Sequence, residues 1–319
     1  MEESPKFIGR TYTKEELSKA KESLERWAKE SELPVEGEEE KTEEERAYIN
    51  KANDLLQRRL ADLSIPYTLI PSEKIHMLSA KAYEKRLGNS VDHGFTSAFD
   101  DAIFVNKNKH HGGADLLDTL IHEMVHRASK HRFFGSEEHG MVPARIGYHL
   151  ASPWKKPEGR AALTGFNEIV TEYMAVGILE ACKDELGQEL GIAKKDIEEF
   201  QYGYAQYNDV FSKIVRGIAA DKGLSVREVM DDFERGQFAE NLLVLKDIDT
   251  VFGKGSLRVL ACLGVLRDPI EREKVDNLVE RYFSSDNQDE KANLQQQVRS
   301  SFEEAWHAQL VQSENQTDA

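Results

Sequence analysis

The sequence predicts an α+β fold that is predominantly helical. Three observations carry this. Apolar residues recur at helical spacing through both ends of the chain. Short β-rich apolar segments gather in the stretch between Tyr67 and Asn106. No internal repeat points to a solenoid or propeller. With 319 residues the chain can bury a sizeable core and hold two or three domains. Three regions differ in pattern: a charged helical N-terminal region (1–64), a mixed core (65–185) and a helical C-terminal region (186–319).

Taken in order, Thr13 to Glu30 and Glu43 to Leu63 read as helices, joined by the solvated linker Glu36-Gly37-Glu38-Glu39-Glu40. Tyr67 to Ile70, Ile75 to Leu78, Gly94 to Thr96 and Ala102 to Asn106 read as short strands. Gly112-Gly113 break the chain, and Ala114 to Ser129 then run on without Pro or Gly. Leu116, Leu117, Leu120, Ile121, Met124 and Val125 recur there as a helical apolar stripe. Ala144 to Leu150 reads as one more strand or as a wall of a binding cleft. Thr164-Gly165 suit the start of another helix, whose apolar pattern continues through Met174, Val176, Ile178 and Leu179. Further helices are expected at Ile197–Ala220, Val226–Phe233, Ile270–Ser284 and Asp289–Leu310. A turn is expected at Phe252-Gly253-Lys254-Gly255, and the polar end from Ser313 should fray.

The chemistry sits on two of these helices. His122-Glu123-Met124-Val125-His126 is an H-E-x-x-H sequence. Residues four apart share a helical face, so both imidazoles can reach one metal ion, with Glu123 beside them. Three fixed residues in five recur by chance, so the second segment matters. In Gly165-Phe166-Asn167-Glu168-Ile169-Val170-Thr171-Glu172-Tyr173, Glu168 and Glu172 also lie four apart. A hydrolytic zinc ion takes three protein ligands and leaves one position open, so two histidines and one of these carboxylates suffice. The other carboxylate can accept from a ligand histidine's remaining N–H.

This pair of segments resembles the gluzincin metallopeptidases, the thermolysin-like group of zincins, whose second motif reads N-E-x-x-[ST]-[DE]. The resemblance covers these two helices, with a small sheet before them, and implies a zincin-like catalytic core with a small mixed sheet, an active-site helix and a glutamate helix. It implies His122, His126 and Glu168 as ligands of one catalytic Zn2+. Asn167 matches the Asn of the second motif, and Glu172 stands behind a ligand histidine. Glu123 is then the general base toward a metal-activated water, and the substrate is a peptide or protein. An exchange of roles between Glu168 and Glu172 is disfavoured by the Asn-Glu order. The metzincin pattern does not fit, because Ser129 and Arg132 stand where it needs Gly and His. His131 is expected on the surface at the helix end. His110, His111 and His139 are expected to be exposed loop residues. A cleft between the sheet-bearing part and the helical C-terminal part would hold the site, with one of the short strands as its edge. Tyr148, His149, Tyr202, Tyr204 and Tyr207 are candidate donors to the developing oxyanion.

Composition bounds the alternatives. A formal net charge of -16 argues against a nucleic-acid partner and against anionic membranes. Cys182 and Cys262 alone provide neither a disulfide framework nor a thiolate zinc site. Met1 to Lys6 lack the pattern of a secretory signal, and the longest apolar run, near Val259 to Val265, is too short to span a bilayer. The expected compartment is the cytoplasm; the oligomeric state is not encoded. The competing function is a zincin-like module that binds zinc and holds a protein partner without turnover. A metal-free helical interaction protein is the third reading.

Overall fold

The computed structural model describes residues 15, 18, 19, 22, 25, 26, 35–88, 92–97, 101–136, 140–151, 161–198, 204–239 and 242–317. The expected helix at Thr13 to Glu30 therefore lies largely outside the described residues. In chain order the elements are α1 (Glu43–Asp62), β1 (Ile75–Leu78), α2 (Ala80–Leu87), β2 (Gly94–Ser97), β3 (Ala102–Asn106), α3 (Gly113–Ala128), β4 (His131–Ser136), β5 (Gly140–Ile146), β6 (His149–Ala151), β7 (Ala161–Ala162), α4 (Thr164–Ala181), α5 (Lys183–Leu190), α6 (Lys194–Glu198), α7 (Asn208–Lys222), α8 (Val226–Phe238), α9 (Lys246–Phe252), α10 (Ser256–Leu260), α11 (Pro269–Ser284) and α12 (Gln288–Thr317). The fold is α+β and predominantly helical. No helix among the described residues is long and apolar enough to cross a membrane.

The chain divides into two compact units, Met1–Pro143 with Thr171–Gly203 and Ala144–Val170 with Tyr204–Ala319. Helix α4 is continuous through the division.

In the first unit, a three-stranded sheet runs in the order β1-β3-β2, with β1 parallel and β2 antiparallel to the central β3. All five residues of β3 are buried, as befits a strand covered on both faces. The outer place falls to β2. The far side of β1 is capped by the segment expected as a solvated linker: Glu38 bridges to Leu78, and Glu39 N donates to Met77 O at 2.9 Å. Helix α1 opens with a capping box of Thr42 and Glu45, which satisfies two orphan N–H groups. It packs on α3 and buries Ile49, Leu55, Leu56 and Leu60, while α3 buries Leu117, Leu120, Ile121 and Met124. Gly113 allows this approach, since a Cβ there would collide with the hydroxyl of Tyr48.

Tyr67 to Ile70 is extended but is not a strand. The buried Asn53 of α1 takes the place of a sheet partner: its Oδ1 accepts from Ile70 N (2.8 Å) and Tyr67 Oη (2.8 Å), and its Nδ2 donates to Ile70 O (3.0 Å). Backbone groups that would otherwise demand a ladder are satisfied by one amide.

The second sheet runs β4-β5-β6-β7, with antiparallel β5–β6 and β6–β7 pairs. The expected single strand at Ala144 to Leu150 is instead a tight hairpin, in which Ile146 pairs with His149 across Gly147-Tyr148. Gly147 has φ +57, which a glycine adopts without strain. The second unit's core is aromatic. Phe166 meets Tyr148, Phe211 and Phe233 edge-on, with ring centroids 5.1, 5.8 and 5.4 Å away. The helix expected at Ile197–Ala220 divides, with α6 ending at Glu198 and α7 starting at Asn208. Helix α12 continues to Thr317 where fraying was expected.

Candidate metal centre

Helix α3 buries its apolar stripe apart from the half-buried Leu116, and His122, Glu123 and His126 are buried as well, at 6, 7 and 8% exposure. Their spacing on the helix brings the two rings together. The Nε2 atoms of His122 and His126 are 3.0 Å apart. Two nitrogens bonded to one tetrahedral ion at ~2.0–2.1 Å sit ~3.3 Å from each other, so this pair is close to a ligand spacing. Glu168 completes the group: one ligand atom from each of His122, His126 and Glu168 lies within 4.8 Å of the others.

Glu172, one turn further along α4, meets the back of the first ring. Its Oε2 is 3.0 Å from His122 Nδ1, and both side chains are buried. A carboxylate accepts, so Nδ1 carries the proton and the Nε2 lone pair faces His126. Asn167, the residue before Glu168, is buried. Its Oδ1 accepts from Tyr148 N at 2.8 Å, and its Nδ2 donates to Glu168 Oε1 at 3.4 Å. The β5–β6 turn thereby reaches the first turns of α4 through one side chain.

Glu123 is held by β2. Thr96 Oγ1 lies 2.7 Å from Glu123 Oε2 and 2.8 Å from Glu123 O. The hydroxyl has one proton, so it donates to one of these oxygens at a time. Gly94 leaves room for the glutamate: a Cβ there would stand 2.8 Å from both Glu123 Cγ and Thr119 Cγ2.

Some residues come as a surprise. Asp118, one turn before His122, is fully enclosed, and its Oδ1 has no hydrogen-bonding partner among the described residues. Burial, reinforced by the Glu172 carboxylate, pushes Asp118 well above the usual carboxylate range, with His122 opposing. A lone Asp in an apolar helix gives no sequence signal beyond its spacing from His122. His131, expected on the surface, starts β4 and is partly buried, with Nε2 3.0 Å from His126 O. Burial lowers its pKa, so the neutral ring is favoured over the cation expected at a helix end. His110 was expected to be exposed, but its side chain is 7% exposed. His111 is exposed, and His139 lies outside the described residues.

Of the candidate oxyanion donors, Tyr148 is fully buried and donates its hydroxyl to Phe233 O at 2.7 Å, which commits it to the core. His149 Nδ1 pairs with Thr164 Oγ1 at 3.1 Å. Tyr207 is buried and stacks on Tyr204, with ring centroids 6.2 Å apart. Tyr202 lies outside the described residues. The arrangement offers two imidazoles and a carboxylate to a single cation, with a further carboxylate and a hydroxyl on the flanking groups. Comparison with known proteins adds no name: no family model, curated protein or solved structure matches the chain.

Proposed function

We propose that this chain is a zinc-dependent metallopeptidase with a zincin-like core of the gluzincin type. The observation that carries the reading is the grouping of His122, His126 and Glu168, with one ligand atom of each within 4.8 Å of the others. The donor set fits zinc, since two neutral imidazoles and one carboxylate are the ligands of many hydrolytic zinc sites. Glu172 supports the fit by accepting from Nδ1 of His122, which makes the opposite nitrogen the one that would ligate an ion.

A bound zinc ion supplies a water of lowered pKa and a polarised substrate carbonyl. The protein's own part falls to Glu123. Its carboxylate takes a proton from the attacking water and returns it to the departing amine as the peptide C–N bond breaks. Thr96 Oγ1, 2.7 Å from Oε2, supports the glutamate's rotamer. The same strand, β2, is the outer strand of its sheet. A peptide that pairs with β2 through its backbone passes beside Glu123, and affinity then comes from main-chain hydrogen bonds with little sequence selectivity.

The test is Glu123→Gln. The variant is expected to hold as much zinc as the wild type and to cleave an unfolded protein substrate ~10²–10⁴-fold more slowly, the range set by loss of a general base. Wild-type cleavage by this variant would remove the catalytic assignment.

A further inference from the structure

A second group of metal-ligating side chains lies at the start of α3. His93, His110 and Asp115 each offer a ligand atom within 4.8 Å of the other two. Asp115 Oδ1 is 3.3 Å from His93 Nδ1 and 3.8 Å from His110 Nδ1. Donors around a tetrahedral ion with bonds of ~2.0–2.1 Å stand ~3.3 Å apart, so a small inward movement of His110 completes the set. The carboxylate is already aimed, because its other oxygen, Oδ2, accepts from His111 N at 3.0 Å.

His110 is the observation that points to a ligand. Its side chain is 7% exposed. Neither Nδ1 nor Nε2 has a hydrogen-bonding partner among the described residues, and 3.8 Å to Asp115 is too long for one. A neutral imidazole has one N–H and one lone pair, and enclosing both without partners is unfavourable. His110 lies edge-on to His93, with ring centroids 5.5 Å apart, and 3.8 Å from Asp115 Oδ1. These contacts place the ring beside both groups while giving neither of its nitrogens a hydrogen bond of normal length. A cation that takes the His110 lone pair accounts for all three side chains.

We infer that His93, His110 and Asp115 form a second site for a divalent transition-metal ion of the zinc class. Two imidazole nitrogens and one carboxylate oxygen suit zinc far better than magnesium or calcium, which prefer oxygen throughout. His93, with a side chain 47% exposed, leaves one flank open to solvent and to a water ligand. Asp115 lies about two turns before His122 on α3, ~10 Å along the axis. That is well beyond the ~3.5–4 Å of a two-metal reaction centre. The second ion is therefore a separate fastening. His93 immediately precedes β2, the strand whose Gly94 and Thr96 press on Glu123. An ion bound here ties the start of that strand to the start of the helix bearing Glu123.

The inference uses none of the residues assigned to catalysis, so the two stand or fall separately. Full-length protein is stripped with chelator, reloaded with Zn2+ and measured for bound metal. Wild type and Glu123→Gln are expected to hold two equivalents. His110→Ala and His93→Ala are each expected to hold one, and Glu168→Ala combined with His110→Ala none. His93 is largely exposed, so its variant guards against a result caused by misfolding. In the Glu168→Ala background, Zn2+ is expected to raise Tm, and addition of His93→Ala is expected to abolish that rise. His93→Ala and His110→Ala variants that load as fully as wild type would overturn the second site, whereas loss of only the equivalent that depends on Glu168 would count against the first site alone.

Discussion

At the scale of single residues, the two glutamates of α4 have distinct surroundings. Glu168 is grouped with the two imidazoles, whereas Glu172 is in contact with the Nδ1 side of His122. Loss of a carboxylate behind a ligand histidine typically weakens metal binding ~10–100-fold. Glu172→Ala is therefore expected to lower zinc affinity by that range, and Glu168→Ala by more, both read by competition with a chromophoric chelator. The reverse order would exchange their roles. This much was legible in the sequence, because residues four apart on a helix must share a face and both pairs obey that spacing. Thr96 and His93 were not legible as partners. Thr96 meets Glu123 through a strand placement that no local pattern encodes, and His93 reaches Asp115 only once β2 lies along α3. His110 was misjudged for the same reason: a loop position says nothing about what closes over it.

At the scale of elements, β2 shows how little space the arrangement leaves. A methyl group at Gly94 would meet Glu123 Cγ and Thr119 Cγ2 at 2.8 Å, so either the glutamate or the strand must move. Gly94→Ala is expected to destabilise the protein by ~1–3 kcal/mol through overpacking. It should also reduce peptide cleavage while zinc content stays at the wild-type level, as measured by thermal unfolding, activity and metal analysis on one sample. Unchanged activity would mean that β2 does not constrain Glu123. Helix α2 was legible and went unread: Ser79 caps its start through Ala82 N, and Gly88 closes it at φ +75. The Tyr67 to Ile70 segment was misread because its alternation fits a strand, and only tertiary contact reveals that Asn53 supplies its partners. The β5–β6 hairpin was compressed into one strand because a two-residue turn with a single glycine interrupts the apolar run so briefly.

At the scale of the whole molecule, the division into two units cuts across the order of the chain, with Ala144–Val170 grouped with the distant Tyr204–Ala319. Periodicity reads neighbours along the sequence, so the helical content and the first sheet's raw material were visible. Of the second sheet only Ala144 to Leu150 was visible, and this regrouping was not. The second unit also carries a titrating group that should shape stability. Asp276 on α11 accepts from Gly264 N at 2.9 Å, yet burial pushes its pKa up to about 6 from an ordinary 3.8, against the pull of the Gly264 N–H and of Arg272. An acid whose folded pKa is raised binds its proton more tightly in the folded state. Its contribution is full below ~pH 4, declines as pH rises through about 6, and is constant above that. A gap of this size corresponds to at most ~3 kcal/mol. Asp276→Asn keeps an acceptor for Gly264 N and carries no charge. It is expected to raise stability at pH 7.5 by ~1–3 kcal/mol and to flatten the decline between pH 4 and 6.5, followed by urea denaturation. A decline identical to wild type would place its origin elsewhere.

The small mixed sheet is sealed on one side and unsealed on the other, since Glu38 and Glu39 cover β1 while β2 pairs outward with no strand among the described residues. Growth of this sheet by strand addition is therefore a single event. Two molecules that join through β2 use up the one margin of the small sheet left unpaired among the described residues, so an encounter through that sheet closes as a pair.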